Sequence, residues 1–256
     1  MSKPSGSCIF CGAGGLSKEH IFPRWIQSVL PKTNSHTYHG IERNNDAYGN
    51  KKLFDKSYRE NREGDPLVWK IRVVCKNCNN RWMSKIQNDA KEFIHSLLIG
   101  NWKDIKPDCY HTISTWVVMT CMVIEFLDSY SVAIPQTDRS RFMEKTTPPN
   151  GWEIWIGRFN GVKDRKFHHT SLGVGQITTI RLGKLAIFAK YLAEIEPIPL
   201  PYPFMVANGY APIWPRITHD IATFRTINDQ SADEIHFMLC DAHVSAASRT
   251  SHNYRT

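Results

Sequence analysis

Val73-Val74-Cys75-Lys76-Asn77-Cys78-Asn79-Asn80-Arg81-Trp82-Met83 joins the end of a strand pattern to the start of a helical one, with a C-x-x-C pair at the joint. Upstream, Trp69, Ile71 and Val73 alternate with Lys70 and Arg72, which predicts a half-buried strand over Val68 to Val74. Downstream, Trp82, Met83, Ile86, Ala90, Phe93, Ile94, Leu97 and Leu98 recur at helical spacing, and Gly100 suits the end of that helix. Trp82 belongs to this stripe and reads as a core residue.

A second C-x-x-C pair, Cys8 and Cys11, opens the chain. Each pair sets two sulfurs on a tight knuckle, and two knuckles close a tetrahedral four-sulfur site of the kind that holds structural Zn²⁺. Nothing in MSKPSGSCIFCG forms the apolar core of a secretory signal, so a cytoplasmic location follows, where reduced thiols favour metal over disulfide. Such a metal ties the N-terminus to the strand ending at Val74. The other three cysteines, Cys109, Cys121 and Cys240, lie in apolar contexts and read as inert core thiols.

The chain has 256 residues, and 32 Lys plus Arg against 24 Asp plus Glu leave a formal charge of +8. A hydrophobic content of 41% excludes a mostly disordered chain, and ordinary Gly and Pro counts exclude collagen-like or low-complexity sequence. The longest apolar run, Ile113 to Ile124, is shorter than the ~20 residues that span a bilayer, so no membrane partner is expected. Excess positive charge points instead to a polyanion. Lys51, Lys52, Lys56, Arg59 and Arg62 lie between Asn44 and Asp65, a polar stretch read as a long loop.

Other elements follow from local patterns. Pro23 to Leu30 reads as a short helix, and Tyr110 to Leu127 as a buried one. Strand-like runs cover Trp152–Phe159, His168–Val174, Thr178–Arg181, Leu185–Tyr191 and Phe204–Ala207. The prolines at 197, 199, 201 and 203 make a stiff connector, and Ala232 to Leu239 reads as a last helix. Clustered strands predict an α+β fold with an antiparallel sheet for residues 101–256. The histidines there, His168, His169, His219, His236 and His243, lack convincing ligand spacing.

Ser17-Lys18-Glu19-His20-Ile21-Phe22-Pro23 follows the first knuckle closely. If one zinc holds both knuckles, Glu19 and His20 fall near Asn79 at the start of the long helix. A carboxylate and an amide oxygen are hard ligands suited to Mg²⁺, and an imidazole with a pKa near ~6.5 suits a general base.

The run CxxC, then Glu-His, then CxxCN opening a helix resembles the HNH endonucleases of the ββα-metal fold; SKEHIFPRW and VVCKNCNNRWMSKI look like a bacterial HNH group with Asn at the last motif position. The resemblance covers residues 1–100 and implies an α+β chain: a zinc-stapled ββα-metal module at 1–100, then a domain at 101–256 for substrate or partner recognition. It implies a metal-dependent endonuclease acting on DNA, in restriction or phage defence. Cys8, Cys11, Cys75 and Cys78 would hold the structural zinc, Glu19 and Asn79 a catalytic Mg²⁺ or Mn²⁺, and His20 would be the base. Arg81 and the basic loop would contact the nucleic acid. The central Asn is open among Asn44, Asn45, Asn50 and Asn61. Two alternatives stand beside this reading: a zinc-stapled nucleic-acid-binding module without chemistry, and a nuclease subunit active only with a protein partner in a defence complex.

Overall fold

The computed structural model describes residues 6–30, 38–43, 59–127, 132–171, 175–193, 202–215 and 225–252, with the main chain alone for 38–43, 59–63 and 241–252. From the N-terminus, the first cysteine turn leads into β1 (Leu16–His20), the single helical turn α1 (Ile26–Val29), β2 (Tyr38–Arg43), β3 (Arg59–Glu63) and β4 (Lys70–Cys75). β1 and β4 form a two-stranded antiparallel sheet, Leu16 opposite Cys75 and His20 opposite Lys70. In β4, Lys70 and Arg72 face solvent while Ile71 and Val73 are half covered and Val74 is buried, the alternation its sequence predicts.

The chain then continues without a break through α2 (Lys76–Cys78), a π-helical turn (Asn79–Met83) and α3 (Ser84–Leu98). Met83, Ile86, Ala90, Ile94, Leu97 and Leu98 are all buried along one stripe of this helix. It stops at Gly100, whose φ of +84° suits a residue without Cβ. There the Gly100 N–H donates to the Leu97 carbonyl (3.2 Å) and the Asn101 N–H to that of Ser96 (2.8 Å). This 6→1 and 5→2 pair satisfies carbonyls the helix would otherwise leave unpaired.

Against α3 packs α4 (Pro107–Ile124), buried at every position from Ile113 onward. With the 3₁₀ turn that follows, the stretch Pro107–Leu127 is long and apolar enough to cross a membrane, longer than the run counted from sequence, and most of it is buried inside the fold. Two of its buried hydroxyls bond back onto the helix, Thr115 to the His111 carbonyl (2.8 Å) and Thr120 to that of Trp116 (2.9 Å). Next, α5 (Gln136–Lys145) places Arg139 against the buried carboxylate of Glu125 as an ion pair.

The remaining elements are β5 (Trp152–Phe159), β6 (Arg165–Ser171), β7 (Gly175–Leu182), β8 (Leu185–Leu192), α6 (Tyr202–Ala207), β9 (Tyr210–Trp214), β10 (Thr226–Ile227) and α7 (Asp229–His252). The eight-stranded sheet has the order β10-β5-β8-β7-β6-β2-β3, and β9 also pairs with β5. Most pairings are antiparallel, as the clustered strands predict; β2 with β6 and β10 with β5 are parallel. One face of the sheet covers α4 and joins the core around the cysteine region, while the other packs on α7. The β2–β3 hairpin, contributed by the first 100 residues, thereby extends a sheet built by the second part of the chain.

Several local expectations differ from the structure. Within the expected loop Asn44 to Asp65, residues 59–63 form β3, held by main-chain pairing to β2; Arg-Glu-Asn-Arg-Glu offers no apolar alternation to announce it. Lys51, Lys52 and Lys56, with Asn44, Asn45 and Asn50, lie outside the described residues. Phe204–Ala207 is part of α6, not a strand, because Pro203 lies in its first turn, where a missing N–H costs nothing. Of Pro23 to Leu30 only residues 26–29 are helical.

Candidate metal centre and adjoining cleft

The two knuckles meet. One ligand atom from each of Cys8, Cys11, Cys75 and Cys78 lies within 4.8 Å of every other, and the Cys11 and Cys75 sulfurs are 3.6 Å apart. A tetrahedral ion with Zn–S bonds of ~2.3 Å holds its sulfurs about 3.8 Å apart, so this set fits Zn²⁺ with small adjustment. Local backbone explains the convergence. The Gly12 N–H donates to the Cys8 carbonyl (2.9 Å), and Gly12 takes the left-handed φ of +73° that the tight turn demands. In the second knuckle the Cys78 N–H donates to the Cys75 sulfur (3.4 Å), and the Lys76 N–H bonds across to the Gly15 carbonyl (3.3 Å).

Cys8, Cys75 and Cys78 are buried, whereas Cys11 is exposed. Burial pushes the Cys78 thiol up, against the pull of the Trp82 indole N–H. Cys75 is also pushed up by burial, but the Cys78 N–H and the neighbouring thiols outweigh that and hold it at about 7. One sulfur is thus already biased toward the thiolate that a metal requires. The cluster is backed by aromatic rings: Phe10 meets Trp82 edge to face at 4.8 Å, and Trp82 meets Phe142 at 5.8 Å. Trp82 is partly buried and packs against the core, in line with its place in the stripe.

Beside the cluster, Glu19, His20 and Asn79 line one cleft, together with Ile71, Val74, Met83 and Gln87. β1 brings Glu19 and His20, and the π-helical turn brings Asn79. Such one-residue widenings of a helix occur often at functional sites. The Asn79 amide nitrogen donates to Asn80 Oδ1 (3.3 Å), which leaves its carbonyl oxygen as the atom suited to a cation.

His20 Nδ1 lies 3.3 Å from the Leu67 carbonyl oxygen. A carbonyl only accepts, so Nδ1 carries the proton and Nε2 keeps its lone pair in the neutral ring. Partial burial lowers the His20 pKa, helped by the positive charge of Lys70 and Arg24 and opposed by the Leu67 carbonyl and Glu19. The ring is thereby held in its proton-accepting form at neutral pH.

No family model, curated protein or solved structure matches this chain.

What the site can do therefore rests on its own side chains. Arg81 is exposed on the π-helical turn. Arg59 and Arg62 are on β3, opposite Glu42 and His39, with Asn61 opposite Gly40. The opposite wall of the cleft was not foreseen: Met119, Thr120 and Val123 of α4 line it, from well beyond residue 100. Nothing in an apolar helical run announces contact with a polar dipeptide a hundred positions earlier.

The far face of the large sheet holds a second polar group that scattered histidines gave no reason to expect. Lys166, His168 and Arg181 converge on Asp233 of α7, with Lys166 and His168 at 3.0 and 3.2 Å. His236 is fully buried between the Thr170 and Thr179 hydroxyls at 2.9 and 3.3 Å. The only metal-compatible cluster among the described residues is the four-cysteine one.

Proposed function

We propose that this chain is a metal-dependent endonuclease of the HNH type, hydrolysing phosphodiester bonds in DNA. The observation that carries the reading is the grouping of Glu19, His20 and Asn79 around one cleft directly beside the four-cysteine cluster. A carboxylate, a neutral imidazole and an amide oxygen are the complement that phosphodiester hydrolysis needs; four sulfurs supply the scaffold.

In this reading Cys8, Cys11, Cys75 and Cys78 hold Zn²⁺ in a closed structural site. Glu19 and Asn79 would hold Mg²⁺ or Mn²⁺, which would supply electrostatic stabilisation to the phosphate oxygens. His20 Nε2 takes a proton from water as the water oxygen bonds to phosphorus, while the bond from phosphorus to the leaving oxygen breaks and solvent protonates that oxygen. The Leu67 carbonyl steadies the imidazolium formed at that moment through the Nδ1–H bond. Exposed Lys18, Arg24, Lys70, Arg72 and Arg81 supply sequence-independent attraction for the DNA backbone, together with the charge in the 51–62 segment. The resemblance would place such an activity in restriction or phage defence, with residues beyond 100 engaging substrate or a partner protein.

The test is cleavage of supercoiled plasmid in Mg²⁺ or Mn²⁺ by the purified chain and by His20→Ala. Loss of a general base costs ~10²–10⁴-fold in rate, with zinc content and thermal unfolding unchanged. Cleavage that persists in His20→Ala removes His20 from the chemistry. A wild-type chain that binds DNA but never cuts it leaves the zinc-stapled binding module as the better reading.

A further inference from the structure

Leu67, whose carbonyl His20 contacts, is held at both of its flanking peptide groups. Its carbonyl accepts a second hydrogen bond from Gln27 Nε2 of α1 at 2.8 Å, shorter than the 3.3 Å from His20 Nδ1. Its N–H donates to Asp65 Oδ1 at 2.9 Å, where Asp65 caps the 3₁₀ turn Pro66–Val68. The other Asp65 oxygen lies 3.0 Å from Arg165 on β6, and both side chains of that pair are mostly buried. Leu67 itself is buried, and Pro66 beside it fixes the approach of the chain.

Three side chains, His20, Gln27 and Asp65, therefore converge on the two peptide groups that flank the Leu67 Cα, and Arg165 holds Asp65 in turn. The peptide group that carries the Leu67 carbonyl is also held at its N–H, where Val68 donates to the Asp65 carbonyl (3.2 Å), so it cannot rotate without breaking bonds on each side and its oxygen stays where His20 Nδ1–H meets it. A carbonyl has two lone pairs, so its oxygen can accept from Gln27 and from the His20 ring together.

We infer that Gln27 is a positioning residue: with the Arg165–Asp65 pair it holds the Leu67 carbonyl that fixes the His20 ring in one tautomer, Nε2 toward the cleft. None of these three residues touches substrate; they act through the Leu67 backbone. The role in catalysis rests on the endonuclease reading above, but the grip on the ring does not.

The experiment compares wild type, Gln27→Met and Gln27→Glu in the full chain. Methionine and glutamate keep the length of the side chain and remove the donor, and residue 27 is only partly buried, so packing changes little. Nitrogen-15 NMR of the imidazole reads the tautomer of the neutral ring directly, whether or not the protein cuts DNA. The expected result is a single Nδ1–H form in wild type and a mixture with the Nε2–H form in both variants, with zinc content unchanged. Plasmid cleavage then falls about tenfold in kcat with KM unaltered, the pattern of a misplaced group and not of weakened binding. A pure Nδ1–H tautomer in both variants overturns the inference. A tautomer change in a protein that shows no cleavage at all upholds the grip and sinks the endonuclease reading alone.

Discussion

Replacing Cys11 by serine separates the metal from the packing around it. Cys11 is the exposed member of the cluster, so its substitution opens no hole in the core. What it removes is one of four ligands in a clip joining positions 64 apart in the chain. Closing a loop of that length lowers the entropy of the unfolded chain by the equivalent of about 4 kcal/mol in the chain-entropy model. That is a large share of the ~5–15 kcal/mol by which domains are stable. At about 2 °C per kcal/mol for a chain of this size, Tm falls by on the order of 8 °C. Mass spectrometry of the native protein should find one zinc per wild-type chain and much less in Cys11→Ser. Differential scanning fluorimetry should show the Tm difference, and a strong chelator should lower wild type to the variant's value while barely moving the variant. A wild type that purifies without metal, or a variant with wild-type Tm, refutes the zinc clip.

Three further outcomes follow from the packing. Phe10→Ala removes a fully buried ring seated on Trp82 and should cost ~3–5 kcal/mol, read from urea midpoints by tryptophan fluorescence. Arg139→Met should cost ~3–5 kcal/mol because it leaves the Glu125 carboxylate buried without its cation, and adding Glu125→Leu should restore most of the loss. Acid should weaken the fold before carboxylates titrate. Burial lowers the pKa of His168 and that of His236 further, with Lys166, Arg181, His169, Asp229, Asp233 and Cys240 around them. The unfolded chain therefore takes up these protons first, and stability should fall as pH drops below ~6.5. Urea midpoints at pH 7.5 and 5.5 check this, and His236→Gln should flatten the dependence.

Where a periodic apolar pattern carries the information, sequence and structure agree closely. The stripe from Trp82 to Leu98, the stop at Gly100 and the alternation in β4 are local consequences of one residue type every 3.6 or 2 positions. The pairing of the two C-x-x-C units was legible because thiol chemistry narrows the options to metal or disulfide. What escaped was non-local. β3 is charged and pairs through its main chain, so no side-chain pattern marks it, and its partner β2 joins β6 more than 120 positions onward. The wall that Met119, Thr120 and Val123 give the cleft belongs to a helix whose apolar sequence says only that it is buried. The grip of Gln27 on Leu67 involves a side chain that carries no signal of its own. Even the π-helical turn at Asn79 is invisible in a helical stripe, because one extra residue per turn shifts the phase without changing composition.

The arrangement of strands has a practical corollary for anyone dividing this protein. β6 receives its outer neighbour from the segment between the two cysteine knuckles, so a fragment starting near residue 101 would leave that strand's amide edge open to solvent. Such a piece should self-associate edge to edge on expression, and mixing it with a separately made peptide spanning positions 38–63 should return it to monomers.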